Sequence, residues 1–197
     1  MNNAIKMRLA IITTDEDRFI EAIQNSNLNI EIVIVITNKS DSKAIEITKK
    51  YGIKCEIINH KDYEDRKEHD KAIMKKFNEI GVDLVILAGY QRLIKDKRFL
   101  DKYGDKMINV HNSYLPNFPG PKPHEEVFKA GVKKSGYSIH FVDSVMDRGK
   151  IILQEEVDIE ESKSPQEIYD KITERACEGI LRVVEMFAEN KMFINQY

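Results

Sequence analysis

Seven short apolar runs alternate with longer amphipathic ones, and this alternation constrains the fold more than any other feature of the chain. The runs are RLAIIT (8–13), IEIVIVIT (30–37), KCEII (54–58), DLVILAG (83–89), MINVH (107–111), YSIHFV (137–142) and IILQEEVDI (151–159). The first, second, fourth and fifth are almost continuously apolar, as strands covered on both faces are. The seventh alternates, so one of its faces is expected to meet solvent. The intervening stretches carry helical signals. DEDRFIEAIQNS sets Phe19, Ile20 and Ile23 on one stripe behind Asp15 or Asp17 as cap. DSKAIEITKKYG and EDRKEHDKAIMKKFNEIG both stop on glycine. The last helix opens at Ser164 and Pro165, and Ile168, Ile172, Ala176, Ile180, Val183, Val184 and Phe187 recur at helical spacing.

Alternating βα units imply an α/β fold: a mostly parallel, Rossmann-like sheet with right-handed crossovers and helices on both faces. Alternation breaks after the fifth strand, where LPNFPGPKPH is followed by a short helix and two consecutive strands. With 197 residues and neither repeat nor linker, a single domain, 1–197, is expected. Ligands of open α/β sheets bind beyond the carboxyl ends of the strands, which directs attention to AGYQRL after the fourth and NVHNSYLP around the end of the fifth.

Composition removes several classes of function. Lys plus Arg number 31 against 33 for Asp plus Glu, a net charge of −2, which argues against a general nucleic-acid binder. A small phosphorylated ligand, which needs only a local site, stays open. Cys55 and Cys177 are too few for a disulfide framework, and no metal-ligand spacing is present, so no metal is expected. The apolar stretch near the N-terminus is too short for a signal peptide or a membrane span, which gives a cytoplasmic protein as the expectation. Oligomeric state is not set by these features.

Two polar residues at the end of the fifth strand need a reason. Asn109 and His111 lie at i and i+2 and so face the same side. An amide that can hold a carbonyl oxygen beside an imidazole that can carry a proton suits acyl transfer. Asp147, in the turn DSVMDRG before the last strand, could fold back, pair with the imidazolium and raise the pKa of His111. His140 is a competing partner for Asp147, but mid-strand it reads as a packed structural residue; His60, His69 and His124 sit in no catalytic motif.

These blocks resemble the folate-dependent formyltransferase family. Asn109, His111, Ser113, Leu115 and Pro116 match its Asn-x-His-x-Ser-x-Leu-Pro stretch, and Asp147 and Gly149 match the downstream Asp before a Gly and an apolar strand. The resemblance covers nearly the whole chain and implies the formyltransferase fold. It also implies transfer of a formyl group from 10-formyltetrahydrofolate, as co-substrate, to a small-molecule amine. By length and layout the default acceptor is glycinamide ribonucleotide, a step of purine synthesis. In that scheme Asn109 holds the developing oxyanion, His111 acts as general acid or base, and Asp147 positions it, partly through water. Tyr90, Gln91, Arg92, Leu93 and Ile94 would form the folate pocket with Asn109, and Arg66 would meet the folate's glutamate tail. The chain departs from the family at TTDEDRF (13–19), where a glycine- and serine-rich phosphate loop is usual. Asp15, Glu16 and Asp17 there would repel a phosphate, which Arg18 offsets only in part. The alternatives are hydrolysis of the formyl donor, transfer to another amine such as an amino sugar, and a non-catalytic folate-binding paralogue.

Overall fold

The computed structural model describes residues 6–189. The readings that reach residues 1–5 and Asn190, and the outer limits of the 1–197 domain, lie outside the described residues. In chain order the elements are β1 (Met7–Thr13), α1 (Arg18–Gln24), β2 (Ile30–Thr37), α2 (Lys43–Tyr51), β3 (Cys55–Ile57), α3 (Arg66–Ile80), β4 (Leu84–Ala88), α4 (Lys97–Tyr103), β5 (Met107–His111), α5 (Pro123–Ala130), β6 (Lys134–Phe141), β7 (Ile151–Asp158) and α6 (Pro165–Ala188).

All seven strands join one sheet in the order β3-β2-β1-β4-β5-β6-β7. β3 through β5 pair parallel, whereas β5–β6 and β6–β7 are antiparallel. The order reverses between β1 and β4, which opens the crevice where such sheets take ligands. Because side chains alternate along a strand, each strand feeds two cores. Leu9 and Ile11 pack with α1 and α6 on one face. Ala10 and Ile12 pack with Ile73 and Phe77 of α3 and Phe99 and Tyr103 of α4 on the other. On β2, Ile30 and Ile32 share a core with Val35, while Ile34 and Ile36 enter the opposite one. The parity changes at the irregularity where Leu9 pairs Ile32 but Ala10 pairs Ile34, as an extra residue in one strand requires.

The helix ends follow their sequence signals except at α1. Ser164 accepts a hydrogen bond from the Glu167 N–H at the start of α6, and Gly52 and Gly81 end α2 and α3 in left-handed conformation. Asp17 occupies the cap position of α1, but its side chain does not cap; the Glu16 carboxylate takes the Arg18 N–H instead. The seven residues of α4 carry no repeated apolar stripe, and the sequence reading passes over that helix. β6 also begins at Lys134 rather than Tyr137. Its extra residues include Gly136, where a side chain would strike the Glu155 carbonyl of β7. No helix among the described residues is long and apolar enough to cross a membrane.

Candidate active site

A cavity of about 590 Å³ opens at the carboxyl ends of β1, β4 and β5, lined among others by Asn109, His111 and Asp147. His111 is 6% exposed. Its Nε2 lies 3.0 Å from the Phe118 carbonyl, which also accepts from the Ser113 hydroxyl at 3.0 Å. A carbonyl only accepts, so Nε2 carries the proton and Nδ1 is the atom free to take one. Phe118 holds φ of 53°, a left-handed conformation rare for a bulky residue. That strain aims its carbonyl back at His111.

Asp147 reaches the same place from the β6–β7 turn. It too is left-handed, at φ 55°, which aspartate tolerates better than most residues. The Gly120 N–H donates to its Oδ2 at 2.8 Å. At Gly149 any side chain would strike the Phe141 carbonyl, so glycine lets the turn close against β6. Asp147 Oδ1 then stands 3.6 Å from His111 Nδ1 and 3.7 Å from His140 Nε2. The first distance is too long for a direct hydrogen bond and suits a bridging water or a pair that tightens on protonation.

The electrostatics correct one expectation. Burial pulls the His111 imidazole below its ordinary value, and Asp147, though it acts upward, does not outweigh it. His111 is therefore neutral at pH 7, a base awaiting a proton at Nδ1. Burial would raise the Asp147 carboxyl, but His140, His111 and the Gly120 N–H together hold it below its usual range, so it is ionised.

His140 is a second correction. It is buried, as a packed residue should be, yet it belongs to the cluster. Its Nδ1 donates to the Phe141 carbonyl at 2.8 Å, leaving Nε2 to accept from the Asn109 amide at 3.1 Å. That bond orients the amide with its second N–H available to the cavity. The cross-strand pairing of Asn109 with His140 was the signal available in sequence, but it requires the antiparallel register of β5 and β6.

After β4, Tyr90, Gln91, Arg92, Leu93 and Ile94 all line the cavity, Tyr90 and Ile94 being buried. The Tyr90 hydroxyl and Arg92 Nε are buried without a hydrogen-bond partner among the described residues. Arg66, at the start of α3, is not on the cavity wall. It lies close enough that, after burial, its charge is the next influence lowering the Arg92 pKa.

Beyond β1 the wall is charged. Glu16, 5% exposed, accepts from the Arg18 N–H at 3.0 Å, from Arg18 Nε at 3.1 Å and from the Tyr169 hydroxyl of α6. Arg18 also donates to Asp170 at 2.9 Å, and its guanidinium lies 4.7 Å from the centre of the Tyr169 ring. Asp15 is held by the Lys43 N–H at 2.8 Å and Lys39 at 3.2 Å. The sequence marks these acids but not their partner Tyr169, which lies far along the chain.

Residues 7–184 match the model of the family described as formyl transferase. The phosphoribosylglycinamide formyltransferase of Bacillus subtilis is 34% identical over 156 residues, 79% of this chain and 80% of that protein. The trifunctional purine biosynthetic protein adenosine-3 of Bos taurus is 35% identical over 171 residues, 85% of this chain. The chain spans only about a sixth (17%) of that larger relative's length. The formyltetrahydrofolate deformylase of Haemophilus influenzae is 28% identical over 193 residues, 96% of this chain and 68% of that protein. Among solved structures, glycinamide ribonucleotide transformylase 1 from Symbiobacterium toebii superposes with a TM-score of 0.89 at 26% identity, covering 95% of this chain and 90% of that one. Asn109, His111 and Asp147 thus converge on one cavity inside a fold and a sequence match that run nearly end to end, and the chain belongs to the formyl transferase family.

Proposed function

We propose that the protein transfers a formyl group from 10-formyltetrahydrofolate to the amine of a small molecule. The observation that carries this reading is the convergence of the Asn109 amide and the unprotonated Nδ1 of His111 on one cavity, with ionised Asp147 behind the imidazole. In the reaction the amine nitrogen attacks the formyl carbon, and the second N–H of Asn109 faces the oxygen as it gains charge. His111 Nδ1 takes the proton the amine loses, and Asp147 stabilises the imidazolium that forms. The proton passes on to the leaving nitrogen as tetrahydrofolate departs. Tyr90, Gln91, Arg92, Leu93 and Ile94 supply the donor side, and Arg66, whose charge reaches Arg92, is the proposed partner of the donor's charged tail.

The names of the relatives make glycinamide ribonucleotide the acceptor to test first, in a purine-synthesis role. Deformylase among the relatives supports a second reading, in which water replaces the amine and formate is released. Tetrahydrofolate release from 10-formyltetrahydrofolate, followed by absorbance with and without amine, separates the two. Release that requires the amine is expected; equal release without it, with formate accumulating, would assign the hydrolase.

A further inference from the structure

Given formyl transfer as the reaction, on which this step rests, the wall beyond β1 bears on what the acceptor carries at its far end. We propose that this wall selects an amine whose remote end is neutral or cationic, and that Asp17 discriminates against a phosphate dianion.

The charges and their partners support this. Asp15, Glu16, Asp17 and Asp170 line the wall together with Arg18 and Lys43. Arg18 is already divided between Glu16 and Asp170. Asp15 is engaged by Lys39 and by the Lys43 backbone. Asp17 stands at the head of α1 without capping it, and its carboxylate makes no hydrogen bond or ion pair among the described residues. The Lys43 ammonium is likewise unpaired there, and the two lining cations, Arg18 and Lys43, leave four carboxylates with a net negative sign.

Two of the backbone donors in this loop are already taken. The Glu16 N–H donates to Thr13 Oγ1 at 2.9 Å, and the Arg18 N–H to the Glu16 carboxylate. A phosphate that took the Arg18 N–H would have to expel a buried carboxylate that also holds Tyr169. Glu16 is not easily displaced, because it is 5% exposed and tied to Arg18 and to the Tyr169 hydroxyl. The side chain is packed between the β4 loop and α6. A ribose hydroxyl or an ammonium meets no such obstacle, since both can donate to Asp17.

The test uses the full chain and two independent readouts. Calorimetry with ribose 5-phosphate as probe is expected to show no saturable binding to the wild type at millimolar concentration. Asp17→Asn should gain binding or tighten it by about tenfold, the order expected for removing one like charge at short range. Glu16→Gln serves as a second variant. The other readout is the ratio of kcat/KM for glycinamide ribonucleotide to that for the dephosphorylated ribonucleoside. It is expected at or below one in the wild type and raised in Asp17→Asn. Tight ribose 5-phosphate binding by the wild type, or a tenfold preference for the ribonucleotide that Asp17→Asn leaves unchanged, would overturn the proposal. If neither amine is formylated, the formyl-transfer reading fails on its own, while ribose 5-phosphate binding still decides the sign of the wall.

Discussion

One wall of the cavity is formed by Tyr90 and Ile94, buried side chains on a loop that follows directly from β4. On the other, Glu16, Arg18, Tyr169 and Asp170 join the β1–α1 loop to α6 through ion pairs and hydrogen bonds. The first side is contiguous in sequence, and its shape comes from apolar packing, which tolerates a flat ring. The second is assembled from segments about 150 residues apart, and its sign and hydrogen bonding decide what it accepts. The reacting centre, Asn109, His111 and Asp147, lines the same cavity. Substitutions should therefore separate into three groups: those that stop chemistry, those that alter acceptor use, and those that affect only the donor.

The largest effect is expected at the centre. His111→Asn and Asp147→Asn should each lower kcat by at least about 100-fold, the size of a general acid–base contribution, with KM for both substrates little changed. A loss expressed in KM instead would place these residues in binding. The pH profile adds a sign. Because burial holds the His111 pKa below its ordinary 6.5, activity should stay level from neutral pH to below 6.5 and then fall as Nδ1 protonates. Asp147 pulls that pKa upward, so its removal should move the acid limb of the residual rate to lower pH. A shift to higher pH would contradict the assignment.

Gly89→Ala comes next. The position has φ of 65°, and a new Cβ would stand 3.0 Å from Glu16 Cβ. A cost of about 1–3 kcal/mol in denaturant unfolding is expected, with acceptor KM rising more than donor KM because Glu16 is displaced. Tyr169→Phe removes one hydrogen bond from Glu16 and should cost about 1 kcal/mol, read as a change of about fivefold in acceptor KM with donor KM unmoved. Equal changes in both constants would dissolve the distinction between the two walls. The smallest effect is expected at Tyr90→Phe. Its hydroxyl is buried without a partner among the described residues, so the melting temperature should hold or rise. Any loss should be confined to donor KM.

The same contrast explains what could be read from sequence. Strands such as IEIVIVIT and MINVH declare themselves because burial on both faces demands unbroken apolar runs. Asn109 and His111 stand out as the polar exceptions at the end of such a run. α6 was legible from Ser164 onward because a long helix repeats its signal. α4 was not, since Phe99 and Tyr103 make a single turn of contact. His140 was misread because its role depends on lying opposite Asn109 across an antiparallel register. The direction of the His111 pKa was misjudged because sequence displays the charge of Asp147 but not the depth of burial. The burial of Glu16 is illegible for a similar reason: Arg18 stands beside it in sequence, whereas Tyr169 lies far along the chain.

The central claim is that the formyl carbon ends on an amine. The direct test supplies 10-formyltetrahydrofolate labelled with ¹³C in the formyl group, together with the ribonucleotide and ribonucleoside amines, and follows the label by NMR. The account predicts that the label appears in a formamide product in proportion to tetrahydrofolate released, and that His111→Asn abolishes both. Label appearing only in formate, whatever amine is present, would contradict it.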